Sequence, residues 1–437
     1  VACRQLHKNP GFTAVAVLTL ALGIGANTAI FSLVNGVLLK PLPYPDSDRL
    51  VALFNNQREQ GQDFVGLTAP AFVDWRSQNT SFEDLAAYQP GGFDLTGNGD
   101  PARLFGIRAS ASLFPLLRVQ PMLGRNFTAT EDSEGNKRVA ILGNRLWQER
   151  FNHSRDVLGK SITLDGNVYS IIGVMPAGFR FAGNDADVWV PMGFESWELE
   201  NRGGHNYQAI GRLKPGVTLE QARTEMTTIT ARLGQQFEAD RGWGATMLPL
   251  RDQLVGDAKR PLFILFGAVG FILLIACSNI ANLLLARASR RVREFAIRGA
   301  LGAGHPAIIR QLVLESLALA VAGAVAGWFL AQVSLSLVLK LGSVGLPRLE
   351  NVRLDGAVAA FSMLVTLLTG LAFGLVPAWF ASRVNLTEAL NDSARGSSSG
   401  RGHWLRNGFV AAQLAFALVL LIGAGLMLRS FANIRAV

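Results

Sequence analysis

The chain's 437 residues are 49% hydrophobic and only 17% charged, with a mean hydropathy of +0.27, a formal net charge of +9 and a pI near 10.0. That apolar excess exceeds what a soluble domain carries, and it is gathered into a few long runs. The basic residues flank those runs instead of forming an aromatic-studded stripe, which argues against nucleic acid as a partner, and two cysteines, Cys3 and Cys277, leave no disulfide framework or Cys-based metal site between them.

The first apolar run, residues 12–39, follows Arg4 and Lys8. It is too long for the roughly 7–15-residue core of a cleaved signal peptide, and no small-residue cleavage site precedes Lys40-Pro41, so an uncleaved span is expected. The chain opens on Val1, and an incomplete N-terminus is expected.

Residues 40–258 are the one segment long enough for a conventional core. It begins with Lys40-Pro41-Leu42-Pro43-Tyr44-Pro45, whose prolines predict a stiff, extended exit from the bilayer. Leu158-Gly159-Lys160-Ser161 looks like the end of a phosphate-binding loop, but Ser154 stands where that motif needs glycine and a strand follows where it needs a helix, so a turn suffices. Asp165-Gly166 between apolar stretches at 162–164 and 168–174 predicts a hairpin. A strand is expected at 206–213, a helix from the capping box Thr218-Leu219-Glu220-Gln221 to about residue 237, and a strand near 246–250. This order implies an α+β domain.

Four more apolar runs follow, at residues 262–286, 312–339, 358–381 and 409–428. Each reaches the about 20 residues a bilayer requires and keeps Arg, Lys and Asp at its ends. Basic residues gather before the first run, at 287–310 and at 383–406, and these three segments carry the whole net charge of +9. Positive charge stays on the cytoplasmic side, which predicts a cytoplasmic N-terminus and places 40–258 outside.

Small residues recur every four positions in three of the runs: Ala21, Gly25 and Ala29; Ala318, Ala322 and Ala326 with Gly323 and Gly327; and Gly370 with Gly374. In lipid, such spacing lets helix backbones approach closely, and a packed bundle is expected. The ends of the chain also resemble each other. Leu6, Asn9, Gly11-Phe12 and Gly23-Ile24-Gly25 recur as Leu405, Asn407, Gly408-Phe409 and Gly423-Ala424-Gly425, so the fifth run is expected to open a second copy that this chain truncates.

Catalytic chemistry finds no support. The five histidines, His7, His153, His205, His305 and His403, lie far apart, and the acids at 131–132 and 185–187 read as solvated loops. No catalytic, cofactor-binding or metal-binding residue is assigned, and the protein is read as a non-enzyme.

The segment after the second run differs. Glu294 and Arg298 stand four apart in the favourable order on a helix, Gly302 and Gly304 can end that helix, and Pro306 suits the first turn of the next. A short basic helix between two spans is expected; read alone, it is equally an anchor on anionic lipid.

Residues 293–303, Arg-Glu-Phe-Ala-Ile-Arg-Gly-Ala-Leu-Gly-Ala, resemble the coupling segment of FtsX-like permeases, the membrane subunits of MacB-type ABC transporters. The opening Asn9-Pro10-Gly11-Phe12, with 20–27 and Pro41-Leu42-Pro43-Tyr44-Pro45, is similar to the acidobacterial-type duplicated, orphan permeases, and 158–161 with 171–176 resemble the MacB periplasmic core. The resemblance implies an α-helical membrane bundle plus an α+β periplasmic domain inserted between the first and second transmembrane helices. The expected divisions are residues 1–39 for the first span, 40–258 for the periplasmic domain, 259–383 for the permease domain, 384–407 for a cytoplasmic linker and 408–437 for the first span of the truncated repeat. It further implies a dimeric or pseudo-dimeric permease in a bacterial inner membrane, working in efflux or mechanotransmission with a separate cytoplasmic ABC ATPase and a periplasmic partner. Glu294, Arg298, Ala300, Leu301 and Gly302 would make the coupling contact, supported by Glu315. A scaffold that controls a periplasmic partner without moving a solute is the alternative.

Overall fold

The computed structural model describes residues 10–97, 99–181, 183, 185–290, 305–341, 348–381 and 400–435. Helix α1 (Pro10–Val34) comes first and continues as a π-helical turn over Asn35–Leu39. Next come β1 (Leu50–Gln57), β2 (Gln62–Val65), α2 (Ala69–Gln78), β3 (Phe82–Thr96), β4 (Ala102–Ala109), α3 (Leu113–Leu117), β5 (Leu123–Gly124), β6 (Val139–Leu142) and α4 (Asn144–Phe151). They are followed by β7 (Ser161–Leu164), β8 (Asn167–Val174), β9 (Val188–Pro191), α5 (Ser196–Glu200), β10 (Gln208–Leu213), α6 (Leu219–Gln236) and β11 (Gly244–Pro249). Four long helices follow among the described residues: α7 (Leu250–Arg290), α8 (His305–Leu341), α9 (Gly356–Ala381) and α10 (Gly400–Arg435). The chain divides into two compact units, Pro41–Gly256 and the remainder.

The first unit is built on one mixed sheet with the order β11-β1-β10-β3-β4-β9-β6-β8-β5; β2 pairs with β1, and β7 with β3 and β8. The pairs β4–β9 and β6–β8 are parallel and the other pairs antiparallel. Both faces are covered. Along β1, Leu50 and Ala52 enter a core with Tyr88, Ile107, Phe114 and Trp189, while Val51 and Leu53 enter the opposite core with Trp75, Met226 and Leu233. Alternate side chains of a strand point to opposite faces, so a strand buried on both sides reads as an unbroken apolar run. A third core gathers Trp147, Val157, Ile162, Ile171 and Val188.

Local chemistry accounts for the connections. Asp165 (φ 48°) and Gly166 (φ 74°) both adopt the left-handed conformation that a two-residue turn needs, and β7 and β8 pair across it. At residues 158–161, Gly159 N–H donates to Ile171 O at 2.8 Å and the chain runs straight into β7, so no helix N-terminus is present there to hold phosphate. The Thr218 hydroxyl accepts from Gln221 N–H while Gln221 Oε1 accepts from Thr218 N–H, closing the capping box that starts α6.

The proline-rich segment, expected as a stiff, extended exit, is tied into the sheet domain's first core. Leu42 and Tyr44 are buried in the first core, Tyr44 O–H donates to Arg180 O at 2.8 Å, and the guanidinium of fully buried Arg212 donates to Pro45 O, Asp46 O and Leu116 O. Proline has no N–H to contribute, so its carbonyls are what a neighbour can grip. Burial, then the nearby Arg118 charge, push the Arg212 guanidinium below its ordinary range.

In the second unit three helices are long and apolar enough to cross a membrane, Pro10–Leu39, Ala258–Leu284 and Ile309–Lys340; Gly356–Ala372 and Val410–Leu426 are shorter apolar stretches among the described residues. Helix α1 packs against α8 and α9, and α8 against α9. Helix α10 meets α7 through stacked Phe416 and Phe271, 5.2 Å between ring centroids, and a 2.9 Å hydrogen bond from Gln413 Nε2 to Asn279 Oδ1.

Candidate functional site

The helix bundle brings together the small residues singled out in the sequence. At Gly25 an added Cβ would lie 2.8 Å from Gly327 O, and at Gly327 it would lie 2.9 Å from both Ala21 O and Gly25 N, so α1 and α8 touch backbone to backbone. Gly323 faces Leu20 of α1. Nearer the start of α8, a Cβ at Gly370 of α9 would sit 2.8 Å from Leu317, and one at Gly374 2.8 Å from Val313 Cα. Such contacts recover dispersion energy that lipid tails cannot provide by exclusion.

Polar side chains then bind the same helices together. Asn27 Nδ2 of α1 donates to Val269 O of α7 at 2.8 Å and to Gly23 O of its own helix at 2.9 Å. Thr28 Oγ1 lies 3.3 Å from Ser362 Oγ of α9, and Ser316 Oγ of α8 donates to Gly370 O of α9 at 2.8 Å. All four side chains are buried. Sequence reasoning missed them; the available signal was a polar residue inside an apolar run, which in lipid needs a partner.

The end of α1 that leads into the sheet domain carries a denser set of contacts. Lys40 Nζ lies 2.9 Å from Asp355 Oδ2 and donates to Asn351 O at 2.9 Å, while Asn35 Nδ2 lies 3.2 Å from the same Asp355 oxygen. Lys40, through its hydrogen bond first, holds the Asp355 carboxyl below the usual carboxylate range. Arg348, buried, donates from Nη1 to Val37 O and Lys40 O.

The expected coupling residues Glu294, Arg298, Ala300, Leu301 and Gly302 lie outside the described residues. Glu315 is buried in α8 and accepts a 3.0 Å hydrogen bond from Gln311 Nε2, one turn earlier on the same helix. Two acids of the sheet domain depart from the solvated loops expected of them. Asp187 is buried and accepts from Arg145 Nη2 at 2.5 Å and Phe105 N–H at 3.0 Å. Asp132 accepts from Ala111 N–H at 2.7 Å and Gly193 N–H at 2.9 Å, and burial pushes its pKa up. Asp187 ties the start of β9 to β4 and α4, and Asp132 ties its loop to the residues that follow β4 and β9, roles that spacing along the chain does not reveal. Glu198 of α5 is likewise tied in: burial opposes its ionisation, but bonds from Arg108 and Tyr207 keep its carboxyl below the ordinary range.

The sequence profile of the MacB-like periplasmic core domain matches residues 13–229, and that of the FtsX-like permease C-terminal region matches residues 266–386. The first match runs from α1 into the sheet domain, and the second lies in the helix bundle. The chain belongs to the MacB/FtsX-like family of ABC transporter permeases. It is an inner-membrane protein with a periplasmic domain, and the family is one of transporter permease components.

Among its relatives is the pyoverdine export ATP-binding/permease protein PvdT of Pseudomonas entomophila, 23% identical over 304 residues that cover 69% of this chain and 45% of the relative. PvdT of Pseudomonas aeruginosa is 27% identical, covering 63% and 41%, and the macrolide export ATP-binding/permease protein MacB of Rhodospirillum rubrum is 26% identical, covering 62% and 40%. The chain thus spans less than half the length of these curated relatives. Of solved structures, the periplasmic region of MacB from Actinobacillus actinomycetemcomitans aligns with a TM-score of 0.36 at 12% identity, covering 53% of this chain and 97% of that one. The extracellular domain of the transporter YknZ from Gram-positive bacteria aligns at 0.34 and 13%, covering 45% and 99%.

Proposed function

We propose that this permease works with a separate cytoplasmic ATPase, whose hydrolysis cycle is received by the segment at 287–304 and carried through the bundle to the periplasmic domain, driving efflux or transmitting force. The observation that carries the reading is the ordered pair of family matches, a periplasmic core followed by a permease region, on a chain whose α1 is hydrogen-bonded into the same bundle as α7 and α9. The N-terminus and the 287–304 segment are cytoplasmic in this reading, because the basic excess lies there. In this reading Glu294 and Arg298, four apart in the sequence, are the residues that meet the ATPase, and Gly302 is needed for that contact.

The test is ATPase stimulation in a reconstituted pair of this protein with the ATPase that copurifies. Glu294→Lys and Gly302→Val are expected to abolish stimulation while leaving membrane insertion intact. Wild-type stimulation by both variants overturns the coupling assignment. Capture of a periplasmic protein with no ATPase stimulation by the unmutated protein would favour the scaffold alternative.

A further inference from the structure

We infer that residues 348–355 are a latch that fastens the exit of α1 to the start of α9, with Arg348 and Asp355 as positioning residues for the point where the chain leaves the bundle for the sheet domain. Assigning this latch a part in force transmission rests on the permease reading; its existence does not.

The argument starts from how α1 ends. Its last turn, Asn35–Leu39, is π-helical, with Lys40 N–H donating to Asn35 O at 2.9 Å. A π turn is rare and recurs at functional positions, and at the end of any helix the last carbonyls need partners from outside. Here Arg348 Nη1 supplies one to Val37 O at 3.2 Å and to Lys40 O at 3.0 Å. A cation at that end also complements the helix dipole. Arg348 is buried, and its backbone is left-handed at φ 61°, a conformation that a non-glycine residue adopts only where its surroundings impose it.

The other end of the latch is Asp355. Its carboxylate takes the Lys40 ion pair and the Asn35 amide, and its Oδ1 also accepts from Val358 N–H at 3.1 Å, capping α9. One side chain therefore addresses the end of α1 and the start of α9 together. Between the two anchors, Ser32 Oγ donates to Arg353 O at 3.2 Å, and Gly36 presents bare backbone to Val352, whose Cα would lie 2.8 Å from any added Cβ. Further along the same helix pair the contacts are a Thr28–Ser362 hydroxyl pair at 3.3 Å and the stacked rings of Phe31 and Phe361, 3.9 Å between centroids. The rings permit sliding; the charged and backbone contacts of the latch fix the register. Motion of α9 then reaches residue 40 undiminished.

The experiment uses the full chain in phospholipid nanodiscs with Cys3 and Cys277 replaced by Ser and spin labels at positions 39 and 360, both exposed. A single narrow distance distribution is expected without substitution. Arg348→Ala, and separately Asp355→Ser, which keeps a helix cap but removes the ion pair, are expected to give a distribution roughly twice as wide or split in two, as alternative registers become populated. Unchanged distributions in both variants overturn the latch, whatever the protein transports. The measurement needs no ATPase, so broadened distributions alongside a failure of ATPase stimulation in the unmutated protein would support the latch and overturn the ATPase-coupling reading instead.

Discussion

In the sheet domain the side chains that fill the cores are the largest available, Trp75, Trp189, Tyr88 and Phe114; at the helix contacts of the bundle they are the smallest, Gly25, Gly327, Gly370 and Gly374. Both regions are apolar inside, so hydrophobicity alone does not separate them. The difference lies in the solvent. Water drives large apolar surfaces together in the first, whereas lipid is as apolar as the helices and leaves close backbone approach and polar pairs to hold the second. The two regions should therefore respond in opposite directions to a change of side-chain volume.

The largest effect is expected for Trp189→Ala. The indole sits 5.2 Å from Phe114 and 5.8 Å from both Phe179 and Phe181, and emptying such a site costs about 3–5 kcal/mol. Urea unfolding of a soluble fragment, Pro41–Gly256, reads the loss; a change below about 1 kcal/mol would mean that this core is looser than its ring contacts imply. In the bundle the damaging change is the reverse. Gly25→Leu forces a side chain into the backbone of α8 and should cost about 1–3 kcal/mol or more, seen as a lowered melting temperature in detergent. Gly270→Ala, where nothing lies within 4 Å of the added carbon, should cost nothing. Equal melting of the two variants would break the comparison.

Smaller effects sharpen it. Thr218→Ala removes the cap of α6 and should cost about 1 kcal/mol in the same fragment. Asn27→Leu removes the α1–α7 hydrogen bond, for which about 0.6 kcal/mol, and at most about 1.7, is expected in a membrane. The last effect depends on acid. Hydrogen bonds from Arg125 first, and then from Thr128, hold Glu131 at about 2 from its ordinary 4.5. Its contribution to stability is full above about 4.5 and is lost as pH falls through about 2, so Glu131→Gln should flatten the acid limb of the stability curve over that window.

Local features of the sheet domain were readable in the sequence because neighbours in the chain create them. Asp165-Gly166 makes its turn through backbone conformation, and Thr218 with Gln221 makes its cap within one helical turn. Glycine spacing likewise marked the helix faces, since positions four apart share a face. What escaped was long-range. Asp187 looked like a solvated loop acid, because nothing near it in sequence announces Arg145 or the amide of Phe105. The proline-rich segment read only as a stiff, extended exit, because its grip comes from Arg212, far along the chain.

The sequence by itself determined which parts of this protein meet lipid and which meet water, because that rests on run length and charge, both written along the chain. It also determined the short turns and caps. The tertiary structure alone decided the partners of Asn27, Arg212 and Asp355, since a buried polar group must find a bond wherever the fold brings one, and the nearest partner in space is hundreds of residues away for Asn27 and Asp355.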